Sequence, residues 1–158
     1  MKFNKKITNL LIIALSTLAL SACSTAKKTG VGSGDVYTGN ATVEYLASGV
    51  KDRVFFATNS SSLTTASRDT LRKQANYLRK NKKLNVVLEG HADERGTREY
   101  NLALGEKRAN SAKDYLMTYG ISGKRVSVIS YGKEKPVNPA SSGLAWSQNR
   151  RSVTVKVK

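Results

Sequence analysis

A chain of 158 residues suits one domain with appendages. One cysteine excludes an intramolecular disulfide, and one histidine excludes a site that needs two. The formal charge of +16 would by itself permit nucleic-acid binding. The N-terminus argues against that partner. Met1 to Asn9 carries Lys2, Lys5 and Lys6 and no acid. Leu10 to Leu20 is a run of Leu, Ile and Ala, interrupted only by Ser16 and Thr17, and Ser21-Ala22 supplies a small-residue exit. A basic start, an apolar centre and small residues at the exit make a secretory signal over residues 1–22. The apolar run of 11 residues is shorter than the roughly 20 that a spanning helix needs. Removing the three lysines leaves a charge of +13. For an exported chain, anionic lipid headgroups and an anionic wall polymer are nearer partners than nucleic acid.

Cys23 closes the apolar run. Leu20-Ser21-Ala22-Cys23 resembles the bacterial lipobox, which implies an S-diacylglycerol on Cys23 and an N-palmitoyl group on the amine freed by cleavage. One acyl chain holds a protein marginally, whereas two or more anchor it stably. Ser24 follows Cys23, with no aspartate at that position. By analogy with known sorting rules this favours the outer membrane, with the folded part in the periplasm. Residues 23–49 read as the lipidated cysteine and a flexible tether, because Gly30, Gly32, Gly34 and Gly39 oppose a regular element. About 26 flexible residues have a root-mean-square reach of about 25–30 Å. Val43, Tyr45 and Leu46 hint at a local attachment near the tether's end.

Residues 50–158 are enough for one core. Arg53 to Ala57 reads as a strand. Thr64 or Thr65 can cap a helix reaching Asn81, with Leu71, Ala75 and Leu78 on one face. Leu84 to His91 is a second strand, and Gly90 to Thr97 a loop. Thr97 can cap a second helix that Gly120 ends. Arg125 to Tyr131 is a third strand, followed by a loop holding Pro136 and Pro139. Ala145 to Asn149 reads as a short helical turn. Val153, Val155 and Val157 alternate with polar residues as a last strand. The fold class is α+β, an α/β sandwich of order β-α-β-α-β-β. Two main helices cover one face of a mixed four-stranded sheet.

In the second helix, Leu102, Gly105, Ala109, Ala112 and Leu116 share one sector, and Arg108 sits at its margin. Arginine against a core requires a partner. It either pairs with an internal carboxylate or waits for an external one. Asp93 is the first carboxylate beyond the second strand, in a loop position suited to binding. If Asp93 and Arg108 face one cleft, they suit a zwitterion: Asp93 accepts from an ammonium and Arg108 donates a forked pair to a carboxylate. A structural salt bridge between them is the alternative. His91, Asp93 and Glu94 make a poor metal site, and one histidine cannot complete a nucleophilic triad with the many serines. Arg150-Arg151 reads either as a phosphate-binding pair or, more ordinarily, as one buried structural arginine beside one solvated one. Trp146 reads as packing rather than as a sugar platform.

Glu89-Gly90-His91-Ala92-Asp93-Glu94-Arg95-Gly96-Thr97, then Tyr100-Asn101-x-x-Leu104-Gly105-x-x-Arg108-Ala109, resembles the OmpA-like peptidoglycan-binding family, in its lipoprotein branch. Ser130 to Pro136 and Asn149-Arg150-Arg151 extend the resemblance, which covers roughly Val54 to Val157 together with the lipobox. It implies a non-enzymatic protein without cofactor or metal, whose ligand is the diaminopimelate side chain of the peptidoglycan stem peptide. The family's binding aspartate, arginine, asparagine and leucine fall on Asp93, Arg108, Asn101 and Leu104. Phe56 and Ala57 at the end of the first strand, and Glu94 in the loop, complete the implied set, and Arg150 is given a supporting role. Relatives often carry acids after the first strand, where this chain has Ala57-Thr58-Asn59. A side-chain carboxylate contact at Ala57 is lost, whereas a backbone contact survives. The lipoprotein branch further implies the Tol system, with TolB as soluble partner, acting in envelope integrity and cell division. The rivals are an OmpA-like envelope lipoprotein without Tol partners, and a wall hydrolase.

Overall fold

The computed structural model describes residues 45–157. The signal segment, Cys23 and nearly all of the expected tether lie outside them. The described part opens with a small antiparallel hairpin, β1 (Tyr45–Ala47) and β2 (Val50–Lys51), turned at Gly49 with φ +71°. Residues 45–47 were assigned to the spacer on sequence. They form a strand instead, and Leu46 is buried.

The main sheet uses β3 (Arg53–Phe55), β4 (Val86–His91), β5 (Val126–Gly132) and β6 (Arg151–Lys156), in the order β3-β6-β4-β5. β4 and β5 are parallel, and β6 runs antiparallel to both of its neighbours. The sheet is therefore mixed, as the sequence predicts. Two long helices, α1 (Thr65–Lys80) and α2 (Arg98–Thr118), join its strands, and a short α3 (Gly143–Asn149) precedes β6. Each helix starts on a capping hydroxyl. Thr64 accepts from the Ser67 N–H, Thr97 from Tyr100 and Ser142 from Ala145. Gly120, at φ +80°, takes α2's exit through the left-handed region, and its N–H donates to the Met117 carbonyl.

Strand alternation turns Val54, Val86, Leu88 and Val126 toward the helices. There they meet Leu71, Ala75 and Leu78 of α1 and Ala109, Ala112 and Leu116 of α2. One amide crosses this core. Gln74 donates to the Lys51 carbonyl and accepts from Thr154 Oγ1, both at 2.8 Å, so its burial leaves no polar group unmatched. The inward face of α2 differs from the sequence reading. Leu102 is 48% exposed, whereas Asn101, Gly105, Arg108, Ala109, Ala112 and Leu116 form the buried stripe. Arg108 stands at one edge of that stripe, as the sequence predicts, and is nonetheless fully buried.

Two glycines set where α2 sits. A Cβ on Gly90 would run into the Gly105 carbonyl, and one on Gly105 would strike Ser130 Oγ. The bare backbones pack α2 directly onto the C-terminal end of β4. This contact brings Asn101, Leu104 and Arg108 beside the loop that leaves β4.

Candidate functional site

The loop 92–97 runs from the end of β4 to the start of α2, and its fold is dictated by Asp93. The carboxylate accepts from the Arg95 main-chain N–H (3.1 Å), Arg95 Nε (3.0 Å) and Arg95 Nη2 (2.8 Å). Arg150 Nη1 approaches its other side at 3.5 Å. Burial pushes this carboxyl up. The hydrogen bonds and charge of Arg95, with the charge of Arg150, outweigh burial and hold it below the ordinary aspartate value. Asp93 is therefore an anion at neutral pH.

Arg108 has no exposed surface. Its Nε donates to the Ser60 carbonyl (2.8 Å), Nη1 to His91 (2.9 Å) and Nη2 to Ala57 (3.0 Å). Its guanidinium lies 5.4 Å from the Phe56 ring. The internal carboxylate that the sequence offered is not its direct partner. Among the described residues Arg108 forms no ion pair and instead gathers three main-chain carbonyls, two from the loop after β3 and one from the end of β4. Burial, and then Arg150 nearby, lower its pKa to about 10, so it stays charged at neutral pH.

A cavity of about 320 Å³ opens here, lined on one side by Thr58 and Asn59 and on the other by Asp93, Arg95 and Gly96, with Tyr100, Asn101 and Leu104 from α2. Asp93, Asn101 and Leu104 are thus together, as the sequence predicts. Asn101 donates to the Arg95 and Thr97 carbonyls and so fixes the loop to the helix. Arg108 does not line the cavity. Phe56 and Ala57 are present through their backbones. The Phe56 carbonyl accepts from Arg150 Nε at 3.1 Å, and the Ala57 carbonyl holds Arg108. The missing acidic side chain at Ala57 leaves that backbone contact in place. Glu94 is exposed and does not line the cavity, and its Oε1 accepts from Trp146 Nε1 at 2.8 Å. Trp146 also carries the Arg95 guanidinium 4.3 Å from its ring centroid. Its role is to clasp the loop.

The sequence reading missed Thr58, Asn59, Arg95, Gly96 and Tyr100. Tyr100 stands one turn before Leu104 and hydrogen-bonds Asn59 across the cavity. That spacing was the available signal. Asn59 adopts φ 53°, which asparagine tolerates better than most residues. Among the described residues, no group of three His, Cys, Asp or Glu is placed to hold a metal ion.

Residues 55–150 match the OmpA family. A peptidoglycan-associated lipoprotein of Rhizobium meliloti (strain 1021) is 45% identical over 152 residues, covering 92% of this chain and 85% of the relative. One from Brucella melitensis biotype 1 is 41% identical over 149 residues, covering 91% and 89%. Among solved structures, the peptidoglycan-associated lipoprotein of Burkholderia pseudomallei superposes with a TM-score of 0.66 at 37% identity, covering 68% of this chain and 91% of that one. The C-terminal domain of Helicobacter pylori MotB, at 21% identity and a TM-score of 0.63, shares the fold. The family match over residues 55–150, together with relatives above 40% identity along nearly the full chain, makes this protein a member of the OmpA family, alongside the peptidoglycan-associated lipoproteins.

Proposed function

We propose that the Asp93 cavity holds the zwitterionic end of diaminopimelate in the peptidoglycan stem peptide, as a binding module that performs no reaction. One observation carries the reading. Asp93 is a nearly buried carboxylate, kept ionised by a guanidinium whose own side chain is 42% exposed. A seat for a cation stands at the mouth of a small cavity, and its present occupant can leave. The ligand ammonium takes the place of Arg95 on Asp93, or shares it. The ligand carboxylate is drawn by the field of Arg108 and Arg150 beneath, where low exposure strengthens Coulomb attraction. Arg108 has spent three of its five N–H groups on carbonyls, and direct contact with it requires the lining residues to move. Asn101 keeps the loop in register, and Leu104 packs against the ligand's methylene chain.

On this reading the acyl chains on Cys23 hold the outer membrane, the segment to about Gly49 spans the gap, and the domain holds the wall. The relationship to peptidoglycan-associated lipoproteins supports a place in the Tol–Pal system, with TolB as partner on the same face. Co-sedimentation with purified diaminopimelate-type peptidoglycan tests the site. The wild-type chain pellets with the wall, and Asp93→Asn stays in the supernatant. Equal pelleting of both discards the site.

A further inference from the structure

The sheet face opposite Val86 and Leu88 carries a second cavity, of about 590 Å³, sharing no lining residue with the first. Alternation along β4 and β6 brings Glu89, His91 and Arg151 to it, and the exposed segment Lys135-Pro136-Val137 forms its rim. Its charges do not balance. Arg53 is committed to Asp52 through two bonds of 2.8 Å. The remaining wall holds Arg151, Lys135 and Lys156 against the single carboxylate of Glu89.

Its buried donors do not balance either. Arg151 is 7% exposed; Nη1 and Nη2 give to the Asn149 and Lys135 carbonyls at 3.3 Å, and Nε is buried with no acceptor. His91 is 2% exposed and neither ring nitrogen meets full hydrogen-bond geometry, its nearest polar backbone being that of Lys135 on the rim, which offsets a little of the lowering of its pKa. The nearest acid, Glu89 Oε2, stands 3.7 Å from Nε2, beyond hydrogen-bond range. The Lys135 ammonium lies 3.6 Å over the Tyr131 ring, and that ring is 5.6 Å from His91. Unmatched buried donors are rare in folded proteins, and here two side chains holding them line one cationic cavity. Burial, then the charges of Arg151, Lys135 and Arg53, push His91 down to about 3. It is neutral and has one N–H to donate.

We infer that this cavity is an oxyanion site, taking a phosphate or carboxylate group that accepts from Arg151 Nε and the His91 N–H and is balanced by Lys135. Arg151 has spent two of its five N–H groups on carbonyls, and Nε is among those left to an anion.

His91 is the chain's one histidine, so its imidazole NMR signals are unambiguous. The full-length chain carrying Cys23→Ser is titrated with inorganic phosphate and with acetate at neutral pH, at ionic strength held with chloride. A saturable shift of the His91 ring signals is expected. Lys135→Ala and Arg151→Gln are expected to weaken it about tenfold, the loss of one charge-assisted contact. Asp93→Asn is expected to leave it unchanged, which separates this site from wall binding. Should Arg151→Gln not fold, the exposed Lys135→Ala decides alone. Flotation with phosphatidylglycerol but not phosphatidylcholine vesicles, reduced by Lys135→Ala, assigns the anion to a lipid headgroup; a phosphate shift without such flotation assigns it to a free anion. A shift that never saturates, or a saturable one unaltered in the variants that fold, overturns the site.

Discussion

Arg108 and Asp93 are the pair on which the site turns, and they do different work. Arg108 holds the carbonyls of Ala57, Ser60 and His91, and its removal leaves three main-chain acceptors facing a void. Arg108→Ala is expected to cost on the order of 3 kcal/mol or more of stability, read as a lowered urea midpoint. Asp93→Asn keeps the shape. It is expected to cost about 10- to 100-fold in wall affinity, the worth of a charge-assisted hydrogen bond, and less stability than Arg108→Ala. Asp93 also sets the pH behaviour. Its folded pKa lies below the ordinary value of 3.8, so its contribution is complete above that value and is lost as pH falls through the folded one. Retention on the wall is expected to be equal at pH 7 and pH 5 and to fall only below about pH 4. The meeting of Asp93, Asn101 and Leu104 at one cavity was legible because motif and loop position agree. The true depth of Arg108 was not. Leu102 pulls the apparent apolar sector of α2 sideways, and carbonyl acceptors, which are what allow an arginine to be buried, leave no trace in side-chain sequence.

At the scale of elements, the contact between α2 and β4 aims the site. Gly90 and Gly105 meet backbone to backbone, and Ser130 Oγ stands over Gly105 while donating to the Leu102 carbonyl at 2.6 Å. Gly105→Ala is expected to force the helix off the strand. The cost is about 1–3 kcal/mol by thermal melting, with weakened wall binding because Asn101 and Leu104 shift with the helix. The strands and long helices were legible from period and caps: Thr64 and Thr97 cap as expected, and Leu71, Ala75 and Leu78 are inside. The β1–β2 hairpin was not, because strands of three and two residues carry too little alternation to register. Only Val43, Tyr45 and Leu46, following a Gly-rich run, hinted at it. Gln74 and Thr154 were equally hidden, since each reads as surface until the other is opposite.

For the whole molecule, the proposed function requires two ends on one chain, a lipid anchor at Cys23 and a wall-binding cavity at Asp93. Cys23→Ala is expected to release the protein from the membrane fraction while the domain still pellets with purified wall. The family was legible in the sequence because separated motifs recur in order. The engagement of Asp93 by Arg95 was not, since nothing in the sequence says that the seat is already filled. The central claim is that the cavity recognises both charges of the diaminopimelate end. Calorimetric titration with muropeptides carrying diaminopimelate or lysine tests it most directly, because lysine keeps the ammonium and lacks the second carboxylate. Saturable binding of the diaminopimelate form, at least about tenfold tighter than the lysine form and weakened about 10- to 100-fold by Asp93→Asn, is the expected result. Equal affinity for the two muropeptides would contradict it.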